Sequence, residues 1–128
     1  MAYDALLALQ SSVTKTATFN GTGVSIPFGT TRRGLNARVI YSAATNASGS
    51  NSVQFQVDIS PDGGSTWTRS ILSDPVVLST TAQAGVIQIP FMTPDNRQAW
   101  QVRLTATFSG AGSTPTITYS ADMGNAFP

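Results

Sequence analysis

The 128-residue sequence has no cysteine, no histidine and no glutamate, and its one lysine is Lys15. Each absence removes a class of chemistry. Without cysteine there is no disulfide staple and no reactive thiol, which leans toward folding in a reducing compartment. Without histidine no side chain has an unperturbed pKa near neutrality, and the usual base beside a nucleophilic Ser or Thr is missing. Zinc, which prefers Cys and His, lacks both of those ligands. Charge is also scarce. Asp, Lys and Arg together make up 10% of the residues, against about 25% in ordinary globular domains. A net charge of +1, with no basic run beyond Arg32-Arg33, gives no electrostatic footprint for nucleic acid. No stretch approaches the roughly 18 apolar residues of a membrane span. The opening MAYDALLALQ lacks the basic start and long apolar centre of a signal peptide, so synthesis in a cytoplasm is expected.

Apolar residues, at 41%, are enough to fill a core, and the length suits one domain. Solubility then rests on Ser, Thr, Asn and Gln. A surface without mixed charge suits a permanent contact as well as it suits a neutral monomer.

The periodicity is two almost throughout. In Ser52 to Ile71, Val53, Phe55, Val57 and Ile59 alternate with Gln54, Gln56, Asp58 and Ser60. The pattern breaks at Pro61-Asp62-Gly63-Gly64 and resumes at Trp67 and Ile71, which predicts a β-hairpin. Similar alternation marks Val13–Phe19, Val24–Phe28, a long strand over Leu35–Thr45 with Ala37, Val39, Tyr41 and Ala43 inward, Val76–Ser79, Ile87–Phe91, Trp100–Phe108 and Ile117–Ala121. Asn20-Gly21 is a tight-turn dipeptide. Pro27 and Pro90 mark edges or bulges. Thr45 to Asn51 reads as a flexible polar loop. Only Ala2 to Leu9 has helical character, and it is too short to stand alone.

The expectation is an all-β fold: a two-sheet antiparallel β-sandwich of eight or nine strands with a short N-terminal arm. Residues 1–12 form the arm, 13–122 the sandwich and 123–128 a C-terminal tail. The pattern fits a jelly roll or an immunoglobulin-like sandwich. Two long polar loops and Pro-marked edges favour the jelly-roll-like arrangement.

Ser60-Pro61-Asp62-Gly63-Gly64-Ser65-Thr66-Trp67 matches S-x-D-x-G-x-T-W at every position. It resembles the Asp box, the hairpin turn of sialidase-type β-propellers. The resemblance implies a structural role for Ser60, Asp62, Thr66 and Trp67: side-chain oxygens bond the turn backbone and the Trp packs beneath. A propeller needs several copies and a longer chain, and sialidase chemistry needs a Glu, so no activity carries over.

An enzyme is not expected, and no catalytic, cofactor-binding or metal-binding residue is assigned. Paired carboxylates would come chiefly from Asp58, Asp62, Asp74, Asp95 and Asp122, most of which sit in or beside turns where Asp serves as a local backbone acceptor. Calcium held by Asp58 and Asp62 has no loop spacing to support it. A carbohydrate-binding module is the main alternative. Its candidate rings, Trp67, Tyr41, Tyr119 and Trp100, all read as core. Arg38 and Arg103 lie mid-strand on polar faces, where a guanidinium bonds a neighbouring strand's side chain, crosses an interface or, most often, is simply solvated.

Short, all-β, free of Cys and His and poor in charge, the chain resembles the small accessory virion proteins of tailed bacteriophages, the capsid decoration or cement type. The resemblance implies a structural virion protein, made in the host cytoplasm, that binds the major capsid protein or other virion proteins as a dimer or trimer, with neither nucleic acid nor membrane as partner. A phage tail or baseplate component is the neighbouring reading. The contacts would be made by apolar ends, Leu6, Leu7 and Leu9 at one and Phe127 at the other, and by the loop residues Arg32 and Arg33.

Overall fold

The computed structural model describes residues 8–25, 34–92 and 100–125. Among them are ten strands: β1 (Ala8–Lys15), β2 (Phe19–Asn20), β3 (Val24–Ser25), β4 (Gly34–Thr45), β5 (Asn51–Ser60), β6 (Thr68–Leu72), β7 (Val76–Val77), β8 (Gln83–Met92), β9 (Gln101–Gly110) and β10 (Thr116–Asn125). One sheet runs β1-β10-β4-β8. The other runs β2-β9-β5-β6, with β3 also on β9 and β7 also on β5. Every pairing is antiparallel.

The two four-stranded paths make a jelly roll. The pairs β5·β6, β4·β8, β2·β9 and β1·β10 are nested, each enclosing the one before it. Val57↔Ile71, Val39↔Ile87, Phe19↔Ala106 and Val13↔Tyr119 bracket the turn at residues 61–67 almost symmetrically. The chain is thus one long hairpin, folded back at that turn and rolled into two layers.

The alternation read from the sequence sets what each layer buries. Val53, Phe55, Val57 and Ile59 of β5 and Val102, Leu104 and Ala106 of β9 face Ala37 and Val39 of β4, Ile89 of β8 and Ile117, Tyr119, Ala121 and Met123 of β10; all are buried. The Phe55 and Tyr119 rings meet edge to face, with centroids 5.0 Å apart. Burial pushes the Tyr119 hydroxyl up to about 12, because the phenolate would lose its water there.

Several expectations need correction. Leu9 is not in an arm: it lies in β1 and is 3% exposed, part of this chain's own core. The sheet therefore takes residues 8–12 from the expected arm, and β10 runs on through Asn125 into the expected tail. Asn20-Gly21 turns no hairpin. β2 and β3 lie along the same strand, β9, one residue out of register, and Gly21 donates its N–H to the Leu104 carbonyl at 2.8 Å. A Cβ on Gly21 would meet that carbonyl oxygen at 2.6 Å, which requires glycine there. Ala43, expected inward, is exposed: it takes φ 52° and shifts the β4–β8 register, so Ala44 is buried in its place. Residues 45–51 are tied rather than loose. Asn46 donates to the Gly49 carbonyl and to Asn51 Oδ1, both at 3.0 Å, and the backbone pairs with Ser113. Pro90 sits, as read, on an edge strand, β8. Pro27 lies outside the described residues, as do residues 2–7 of the segment Ala2 to Leu9 read as helical; its last two residues, Ala8 and Leu9, are strand instead.

Truncating Phe55 to Ala should cost about 3–5 kcal/mol, the usual range for a buried phenylalanine. Val77→Ala, at a site 66% exposed, should stay within about 0.5 kcal/mol. Equilibrium urea unfolding of both variants measures the contrast, and similar losses would contradict the layer assignment.

Candidate functional site

The turn between β5 and β6 is held by its own side chains. Ser60, fully buried, donates from Oγ to Asp62 Oδ1 at 2.8 Å and accepts the Gly64 N–H at 2.8 Å. Asp62 accepts the Thr66 N–H on Oδ1 at 2.8 Å and the Thr66 hydroxyl on Oδ2 at 2.7 Å. Gly63 and Gly64 take φ of 73° and 102°, the left-handed region that side chains avoid. Donation from the Thr66 backbone and hydroxyl, then from Ser60, draws the Asp62 carboxyl down from 3.8 to about 2. Ser60, Asp62 and Thr66 thus form a hydrogen-bonded turn.

Trp67 departs from expectation. It is half-buried, and it lies on the outer, polar face of the β2-β9-β5-β6 sheet, not in the core. The Arg103 guanidinium carbon sits 4.3 Å from its ring centroid. Gly23 passes so close to the indole edge that a Cβ there would stand 3.0 Å from it. Trp100 and Tyr119 are buried as read, and Tyr41 is half-buried at the rim.

Beneath Arg103 is a polar cluster that sequence reasoning missed. Asp58 is 4% exposed. Its Oδ2 accepts from Arg103 Nε at 3.1 Å and from the Thr105 hydroxyl at 2.7 Å; its Oδ1 accepts from Gln56 Nε2 at 2.8 Å. Thr105 also reaches Asn20 Oδ1 at 3.3 Å. The register Asp58↔Arg103 and Gln56↔Thr105 stacks these residues across two strands. Alternation had put Asp58 and Arg103 on polar faces; their adjacency depends on which strands pair.

The other sheet's outer face differs. Arg38 and Asp122 pair at 2.9 Å across β4 and β10. Next to them Ile40 is 45% exposed, and its register partner Val86 on β8 is 58% exposed. A dish of about 270 Å³ lies along Ala8, Gln10, Arg38, Ile40 and Ser120. A longer open groove of about 430 Å³ runs between β7 and β8, past Tyr41, Val77, Gln83 and Ile87. Among the described residues no three His, Cys, Asp or Glu converge as metal ligands would. Of the residues expected at a partner contact, Leu6, Leu7, Arg32, Arg33 and Phe127 lie outside the described residues, as does Asp95.

No family model matches this sequence, and no curated protein matches it. A solved structure described as "CBM4 structure and function", a carbohydrate-binding module, is similar in fold, with a TM-score of 0.52 and 13% identity. The match covers 84% of this chain and 60% of that one, so this chain spans less than two thirds of its neighbour's length. At that identity the likeness concerns the β-sandwich alone.

Two outcomes are expected. Asp62 has a lower pKa folded than unfolded, so its stabilising contribution is complete above about pH 4 and is lost as pH falls through about 2. Thermal melts across that window should show a shallower acid decline for Asp62→Ala than for the unsubstituted chain. Arg103→Ala leaves the buried Asp58 without its counter-charge and should cost about 2–3 kcal/mol in urea unfolding. A shift in Trp67 emission should accompany it.

Proposed function

We propose that this chain is a non-catalytic structural protein of a tailed-phage virion, a decoration or cement protein that binds and fastens the capsid lattice. The observation that carries the reading is the commitment to structure of three of the four described carboxylates. Asp58 is held by three donors, Asp62 closes the turn and Asp122 pairs with Arg38. What remains outside is broad sheet faces of hydroxyls and amides with a few aliphatics, a surface suited to adhesion. Composition and sandwich architecture support the same reading. In it, Leu6, Leu7 and Phe127 remain the contact residues at the two ends, with Arg32 and Arg33 between them. Leu9, buried in its own core, no longer belongs to that set.

One observation favours a second reading, saccharide binding. Trp67 is not in the core but stands beside Arg103 and Gln101 on a polar face, a setting in which a flat ring can meet a sugar. The fold neighbour is a carbohydrate-binding module, which agrees with this reading at the level of architecture.

The expected result is that the chain co-purifies with virions of the phage that encodes it through a density gradient, at fixed stoichiometry. Removing residues 1–7, which leaves β1 whole from Ala8, should abolish rebinding to stripped particles while the β-type circular dichroism is kept. Absence from purified particles would sink the virion reading. A saturable glycan-array signal lost on Trp67→Ala would move the function to the outer face around that ring.

A further inference from the structure

A β-sheet edge exposes a row of unpaired N–H and C=O groups, and proteins usually blunt it with charge, bulges, brevity or a covering segment. Three of the four edges here are blunted. β1 has two register shifts between Ala8 and Val13 and ends on Lys15. The β2/β3 edge is two short pieces set one residue out of register. β6 is five residues long, contains Arg69 and carries a register shift. β8 is the exception. It pairs with β4 alone among the described strands, and its register is unbroken from Tyr41↔Gly85 to Gly34↔Met92. QAGVIQIPFM has no charged residue, and Pro90, near the end, leaves the run before it open.

Each flank of this edge carries apolar side chains, and the groove on the inner side is lined by Asp74, Ser79 and Gln83 as well. On the outer side stand Val86, 58% exposed, and Ile40 beside it. On the inner side Ile87 is half-buried, and Tyr41 and Val77 line the groove of about 430 Å³. A strand added here has to place one apolar residue outward and the next inward. β8 itself carries that pattern in Val86 and Ile87.

We infer that β8 is a homodimer edge, pairing antiparallel with β8 of a second copy about a two-fold axis. Such an interface is self-complementary: each copy offers the same donors and acceptors, and no charged side chain on β8 meets its like. The two four-stranded sheets become one of eight strands. Val86 and Ile40 of one copy then continue into Val86 and Ile40 of the other, covering two of the aliphatics that the single chain leaves in water. The inference stands apart from the virion reading, since its test needs only the purified chain.

The absence of cysteine allows a direct test. The full chain should sediment at twice its 13.4 kDa mass. Single cysteines placed in turn from Ala84 to Gln88 should form an intermolecular disulfide at one position, the residue facing its own copy across the axis, where opposed Cα atoms stand about 4.5–5.5 Å apart. A Thr14→Cys control on β1 should not. The double variant Val86→Lys, Gln88→Lys puts like charges across the axis and should sediment at the single-chain mass with its β spectrum unchanged. A monomer at all concentrations, a trimer, a dimer that survives the double variant, or crosslinking through Thr14→Cys would each overturn the inference.

Discussion

The fold depends on one reversal of the chain, at residues 60–66, where a buried hydroxyl and an exposed carboxylate hold two left-handed glycines in place. The reversal aligns β5 with β6, and the remaining pairs close around that hairpin in sequence: β4 with β8, β2 with β9, β1 with β10. Hydrogen bonding sets the order of strands, and apolar burial sets how the ribbon rolls. The inward row of β5 has to be covered, and the second sheet is what covers it.

The same turn shapes the outer surface. Trp67 leaves it onto the polar face, and Arg103 lies over the ring while its Nε holds Asp58. A guanidinium suits both tasks because it is planar, always charged and weakly hydrated. The carboxylate under it is fully engaged, which is the arrangement of a structural ion pair. The likeness to a carbohydrate-binding module bears on the layers of the sandwich, and layers of this kind carry many unrelated functions. Function has to be argued from the faces. Here one face is polar around Trp67, and the other carries the Arg38–Asp122 pair beside exposed aliphatics and is edged by β8, which pairs with β4 alone among the described strands.

The misreadings in the chain have particular causes. Alternation predicts burial only while the register holds, so the positive φ at Ala43 moved Ala44 inward against the pattern. Asn20-Gly21 has the composition of a hairpin turn, but β9 already offered both flanking pieces a partner, and the dipeptide became an interruption in an edge. Leu9 looked like the end of an amphipathic arm because Leu6, Leu7 and Leu9 cluster in sequence. Strand pairing with β10 turned it inward. Trp67 continued an apolar row on paper, yet it follows a turn that the row does not cross.

Alternating polarity, turn residues and the missing reactive side chains are local properties of the chain. They sufficed to determine an all-β sandwich, most of its inward residues and the hydrogen-bonded turn at Ser60, Asp62 and Thr66. Which strands became neighbours was decided only in three dimensions, because pairing joins residues far apart in the chain and no local pattern names the partner. For that reason the Asp58–Arg103–Thr105 cluster, the place of Trp67 on the outer face and the open edge of β8 belong to the tertiary structure alone.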